Sequence, residues 1–493
     1  MMRGATEKSL RADQLVGQVA ALHERGGRMQ MAYGWFPSAR EAEVCYLAST
    51  GANQSFELWR CRLEDGRLPS LTVQVPLLGW YEREISDLCG IRFDGHPEPH
   101  PLLIEGLPQP PLAASGNLVA HPESVHAPTY VPEVLSPDVQ QLPFGPVRAD
   151  VLESAQFEFF YLGEHILRYQ PRLFFKHRGM ELRFAGLAPA AGTVLAERVS
   201  GIGSFSHALA FCQAVEAAAQ CEVPARARWL RVVLAELERI YNHLHYFGHL
   251  ADTTTLKVAQ AEGRLLEERA KQIAARLCGS RFLRNVLVPG GLRRDLALSD
   301  AFDAQFDALL DQTYYYLDQL ERTSSFLDRL ITTGALPQKV AFDQGATGPV
   351  GRASGLDRDL RRDHPYAAYE NVTFSVPVGE DGDAYARARV RAKELLESFS
   401  ILHQTLSQSL KGPVRVACEP AAGAQGLGWA ESPRGSLFYA VHVGDDGRLA
   451  RVKIRSPSFS NWRAFPFTVH DTNMMDYAIN EASFGLSIAG CDR

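Results

Sequence analysis

Between Pro224 and Leu244, apolar residues return every three or four positions: Leu230, Val233, Leu234, Leu237, Ile240, Tyr241 and Leu244. That period lines one side of an α-helix several turns long. Such a stripe must be covered, so the chain needs other long elements to lie against it. Helical patterns also run through roughly 205–221, 256–278, 300–332 and 384–411. Pro224 suits the first turn of its helix, where a missing N–H costs nothing. Four or five long helices with short connections predict a bundle. Nearer the end, Leu437–Val443 and Leu449–Ile454 alternate about Gly444-Asp445-Asp446-Gly447, the pattern of a β-hairpin.

The first 96 residues read differently. Val44–Thr50, Phe56–Arg62 and Leu71–Val75 are short strand-like runs separated by Gly and polar residues. From 97 to 146 Pro is dense, and no helical period is present, so this segment reads as a linker or strap. The expected fold is therefore α+β in three segments: a small α+β domain over 1–96, a Pro-rich strap over 97–146, and a helix-dominated domain with β-hairpins over 147–493. A formal net charge of -6 without a basic stripe argues against a nucleic-acid partner. No apolar run reaches the roughly 18 residues that span a bilayer. The polar N-terminus lacks a signal-peptide core. The expectation is a cytoplasmic chain that meets a membrane only through partners. None of the eight cysteines lies within four residues of another, which disfavours a zinc ribbon or cluster loop in this chain. No Gly-rich fingerprint follows a strand, so direct NAD binding has no support.

Several stretches carry more specific information. They are Trp80–Pro97, Lys176–Glu181 (KHRGME), Pro289–Asp295, Thr347–Gly355 with Asp363-His364-Pro365-Tyr366, Ser432-Pro433-Arg434-Gly435 and Ile454–Phe459. In this order they resemble the 30-kilodalton-type and 49-kilodalton-type subunits of respiratory complex I, fused as in the large subunit of formate hydrogenlyase-type group 4 membrane-bound hydrogenases. In that family, paired CxxC motifs bind nickel and iron. The matching stretches here are Glu197–His207 and Ser483–Arg493. The ligand positions fall on Ser200, Gly203, Ser487 and Gly490. A Ser hydroxyl stays protonated near neutrality and Gly offers no donor, so a soft thiolate site cannot be built from them. The resemblance thus implies an emptied nickel–iron cavity and no cofactor in this chain. The chain ends at Asp492-Arg493, near where a matured large subunit of that family ends, which fits a protein that never loads nickel. The family's quinone site is weakly matched too. Its His-rich loop corresponds to Phe144–Asp150, which has no His, and its Tyr falls near Ser200–Gly201.

The resemblance also implies partners: a small iron–sulfur subunit and ion-translocating membrane subunits. It places the chain on the cytoplasmic face of the inner membrane. Two roles follow. In one, the emptied cavity serves coupling or scaffolding. In the other, quinone or another acceptor is reduced there beside a partner's cluster. Glu197, His207 and Arg434 are the candidate cavity and proton-relay residues, since a buried Glu holds its proton and His titrates near neutrality. Arg434 reads equally as an anchor paired with a carboxylate. Arg352, Asp357 and Arg361 form a charged run that reads either as a partner contact or as intrachain ion pairs. His243 and His245 lie about 200° apart on a helix and cannot grip one ion, so packing is expected for them. Cys491 follows the second lost position and is not expected to ligate. Tyr314-Tyr315-Tyr316 read as bundle core and rim.

Overall fold

The computed structural model describes the chain outside residues 39–40, 52–54, 104–109, 113–133, 135, 149–152, 297, 299, 407 and 409–410. Most of the Pro-rich strap therefore lies outside the described residues.

The N-terminal unit is a four-stranded sheet in the order Ala5–Leu10, Phe56–Arg62, Glu41–Ser49, Arg28–Ser38. The first pair is parallel and the rest are antiparallel. Helices Leu15–Glu24 and Gly79–Cys89 accompany the sheet. The second helix stops at Gly90, whose φ of +72° suits a residue without Cβ. The expected strand at Leu71–Val75 does not form. The Glu82 carboxylate accepts the Leu71 N–H and the hydroxyls of Ser70 and Thr72 instead, and Pro76 then opens a 3₁₀ turn. Those backbone and hydroxyl groups are satisfied by one carboxylate rather than by a strand ladder.

The larger unit is built around the helix Ala225–Thr253, one position later than Pro224, which precedes it as its cap residue. Helices Ser204–Ala219, Lys257–Cys278, Asp300–Glu321 and Ala384–Leu406 complete the expected set. The pattern over 300–332 is interrupted at Thr323, whose hydroxyl bonds back to the Gln319 carbonyl and whose backbone is extended. Residues 140–144, assigned to the strap by composition, form a strand against Gln156–Leu162. The C-terminal hairpins make a sheet that is buried throughout Gly435–Val443. Helix Ser204–Ala219 lies on it at close range. A Cβ on Gly428 would meet the Ala210 carbonyl at 2.1 Å, so only glycine admits this approach.

The polar face of the central helix does not meet water, because Arg231, Glu236, Glu238, Arg239, Asn242 and His243 are all buried. Glu236 accepts from Arg361 at 3.1 Å and from Arg239 at 3.3 Å. Arg352 reaches Glu394, Glu431 and Asp359. Arg352 and Arg361 are thus buried in intrachain pairs and present nothing to a partner. Asp357 is exposed and pairs with Arg362 at 2.7 Å.

Two devices join the units. Met2–Arg3 pairs in parallel with Gln425–Gly426, so the N-terminus extends the C-terminal sheet. A buried cluster sets Glu84 and Glu181 against Arg451, Lys453 and Arg493. Burial alone would raise the Glu181 carboxyl, but Lys453, Arg451 and Arg493 outweigh it and hold it at about 2. Glu84 bonds Lys453 at 2.5 Å and Arg493 at 2.7 Å. Glu84→Gln leaves buried cations short of a counter-charge and is expected to cost about 3 kcal/mol in denaturant unfolding. A loss below about 0.5 kcal/mol, the scale of an ordinary surface change, would contradict this role for the cluster.

Candidate functional site

The midchain and terminal stretches, some 290 residues apart in the chain, converge. Arg178 holds them on one side. Its Nη1 donates to the Arg198 carbonyl at 2.8 Å, and its Nη2 donates to both Val199 at 2.7 Å and Ala489 at 2.9 Å. Arg434 holds them on another side. It occupies a two-residue turn between paired Ser432 and Gly435, which fixes its direction. Its Nε donates to the Gly485 carbonyl at 2.8 Å and its Nη1 to Asn242 Oδ1 at 2.8 Å. Asn242 Nδ2 in turn donates to the Ile202 carbonyl at 3.0 Å.

Each stretch is also held at a helix start. Glu238 accepts the N–H groups of Phe205 at 2.8 Å and Ser206 at 3.0 Å, supplying the acceptor that a free helix start needs. Glu153 accepts from Ile488 N at 2.6 Å and Ala489 N at 3.0 Å. Lys176 N donates to Asp492 Oδ2 at 2.9 Å, and Arg178 N donates to the Arg493 carbonyl at 3.0 Å. The residues that sequence reasoning missed are Glu153, Arg178, Asn242 and Asp492. Arg178 stood inside a quoted motif, but its partners are carbonyl groups, which leave no trace in side-chain patterns.

The four positions read as degenerate lie in this frame. Ser200 and Ser487 are buried at 5% and 6% exposure. Ser487 Oγ accepts the Gly490 N–H at 3.0 Å, so the terminal Ser-x-x-Gly works as a helix N-cap. Ser200 makes no such side-chain cap. A Cβ on Gly203 would find only ordinary contacts, with His207 at 3.8 Å and Ser200 Oγ at 4.0 Å.

The candidate relay residues are only partly brought together. Arg434 is half-buried, and desolvation lowers its proton affinity to about 10. Among the described residues it has no carboxylate within ion-pair distance, so it is not the carboxylate-paired anchor considered above. Glu197 accepts from Asn285 N at 2.7 Å and Arg198 at 3.2 Å. Burial raises its carboxyl. His207 bonds the Tyr439 hydroxyl at 2.8 Å. Burial, with Arg178 and Arg434 nearby, pushes it down to about 3. It is therefore neutral near pH 7 and does not titrate there, contrary to the sequence expectation. Asp492 behaves oppositely: burial and Glu153 push it up to about 7.

His243 and His245 point to different partners, Glu394 at 2.9 Å and Glu267 at 3.1 Å. Cys491 is fully buried and burial raises its thiol, which keeps it neutral. Tyr316 is buried while Tyr314 and Tyr315 are exposed. Beside Arg434, the space among His243, Tyr246, Arg391, Gly485 and Leu486 measures about 60 Å³.

This frame has counterparts in known proteins. Residues 262–426 and 418–493 match the family model of the 49 Kd subunit of respiratory-chain NADH dehydrogenase. Residues 8–119 match its 30 Kd subunit, and residues 178–281 match nickel-dependent hydrogenase. The chain is 30% identical to formate hydrogenlyase subunit 5 of Escherichia coli (strain K12), over 83% of this chain and 74% of the relative. It is 28% identical to the C/D subunit of NADH-quinone oxidoreductase from Cereibacter sphaeroides (strain KD131 / KCTC 12085), over 93% of this chain and 87% of the relative. Among solved structures it is similar in fold to a chain of the membrane-bound sulfane sulfur reductase, an archaeal respiratory membrane complex. There the TM-score is 0.69 at 24% identity, over 73% of this chain and 100% of that one. No helix among the described residues is long and apolar enough to cross a membrane.

A nickel centre held by thiolates does not fit these residues. Two of the four positions have no side-chain donor, and the Ser487 oxygen is already committed to Gly490. What the frame does offer is hydrogen-bonded rigidity and one neutral buried imidazole. A histidine whose folded pKa lies below its unfolded value lends stability that is present above about 6.5 and lost as pH falls toward 3. Wild-type protein should therefore lose up to about 1.4 kcal/mol per pH unit through His207 in that window. Thermal unfolding of His207→Gln against wild type from pH 7 to 4 checks this. Parallel pH profiles would contradict the buried neutral state.

Proposed function

Because the chain belongs to the family that unites the fused 30- and 49-kilodalton subunits of respiratory-chain NADH dehydrogenase with the large subunits of formate hydrogenlyase-type hydrogenases, we propose that it is a subunit of a membrane-associated redox complex. In this reading its emptied nickel cavity serves as a scaffold and coupling element. A small iron–sulfur subunit would pack against the face formed by the two converging stretches. Ion-translocating membrane subunits would hold the assembly at the cytoplasmic face of the inner membrane. The supporting observation is the clamp made by Arg178, Arg434 and Asn242. It joins the two stretches through carbonyl and amide groups, where a metal would need soft donors.

The second role, reduction of quinone or another acceptor in the cavity, receives less support. The positions that match the family's quinone site, Phe144–Asp150 and Ser200–Gly201, carry neither the His nor the Tyr of that site.

The intact complex, purified from membranes, tests the reading. Elemental analysis should find no stoichiometric nickel, and an iron–sulfur subunit and membrane subunits should co-purify. One nickel per chain would refute it. Arg434→Met should lower the unfolding midpoint and loosen assembly. If the variant assembles normally but loses quinone reduction, the acceptor role replaces the scaffold role.

A further inference from the structure

Away from the converging stretches, a cavity of about 260 Å³ lies between the N-terminal sheet and the larger unit. Arg28, Gln30 and Ser49 reach it from the sheet, and Thr347, Arg358 and Ser436 from the other side. Arg28 is only 4% exposed. One of its terminal nitrogens donates to the Ala346 carbonyl at 3.0 Å, while its Nε has no partner. Arg358 donates to the Gly26 carbonyl at 3.2 Å. Both guanidinium groups sit over the ring of Phe342, at 5.8 and 5.9 Å.

Neither arginine has a carboxylate within 4.0 Å among the described residues. The acids of the same wall are committed elsewhere. Asp359 pairs with Arg361 at 2.8 Å, and Glu431 with Arg352 at 3.2 Å. Asp357 and Asp363 both pair with Arg362, at 2.7 and 2.8 Å. Burial and the nearby Arg358 and Arg455 hold Arg28 well below its usual proton affinity. A buried cation with a second cation nearby is costly unless an anion compensates it. Guanidinium forks match tetrahedral oxyanions in geometry, and hydroxyls of Ser49, Thr347 and Ser436 line the same space.

We propose that this cavity binds a phosphate-class oxyanion between Arg28 and Arg358, joining the two units of the chain. The inference does not depend on the emptied nickel site. The anion would be a free phosphate or the phosphate of a small nucleotide, since both present the same oxygens.

The test uses the full-length chain, with inorganic phosphate and AMP titrated separately against sodium chloride at matched ionic strength. Phosphate should raise the unfolding midpoint by about 2 °C or more at saturation. Its half-saturating concentration should rise at least about tenfold in Arg28→Gln and in Arg358→Gln. Phosphorus NMR line broadening on wild type gives a second readout should Arg28→Gln fold poorly, and the partly exposed Arg358 gives a milder variant. Protection at lower concentration by AMP would identify the nucleotide as the source, and protection by phosphate alone the free anion. No protection beyond chloride, or equal protection in both variants, would overturn the proposal.

Discussion

Charge buried in the middle of a protein is costly unless it is paired, hydrogen-bonded or neutralised by a proton, because little water is there to screen it. Around the central helix Ala225–Thr253, Glu236, Glu394, Asp359 and Glu431 face Arg239, Arg352 and Arg361. Four carboxyls meet three guanidinium groups, so one acid is left over. Burial and the neighbouring Asp359 push Glu431 up to about 7, and the surplus falls there. Glu394 shows the opposite balance: burial would raise it, but Arg352, His243 and Arg239 hold it well below the usual range. The lattice draws together four helices and the C-terminal sheet. It thereby fixes the scaffold on which Arg434 and Asn242 stand.

On that scaffold the two converging stretches are held by hydrogen bonds from charged and amide side chains to backbone carbonyls. Nη2 of Arg178 serves both stretches at once. Charge-assisted bonds of this kind are among the stronger ones. In a metalloprotein, ligand bonds would supply the same closure. Here Ser487 has become a helix cap, which gives the terminal Ser-x-x-Gly a structural role. Ser200 makes no such side-chain cap.

Much of the architecture could be read from local pattern. The apolar stripe announced the central helix, and alternation about Gly444–Gly447 announced the hairpin. Local pattern failed where a long-range partner intervened. Leu71–Val75 has strand-like residues, but Glu82 takes its hydrogen bonds. The burial of the central helix's polar face leaves no local mark, because its partners are distant in sequence; Arg361 is 125 residues from Glu236. The site was legible only as a family resemblance. Arg178 meets Ala489 across 311 residues, a contact no spacing rule anticipates. His207 was chosen for titration near neutrality, yet the burial that places it in the frame removes that property.

Hydrogen bonds from Arg178, Arg434 and Asn242 close the two stretches onto each other. Thermal unfolding of the reduced chain before and after exhaustive chelation tests this closure most directly, with Arg178→Met alongside. The midpoint should not change on chelation and should be several degrees lower in the variant, since losing a charge-assisted bond costs about 1.5–3 kcal/mol. A midpoint that falls on chelation while Arg178→Met matches wild type would contradict it.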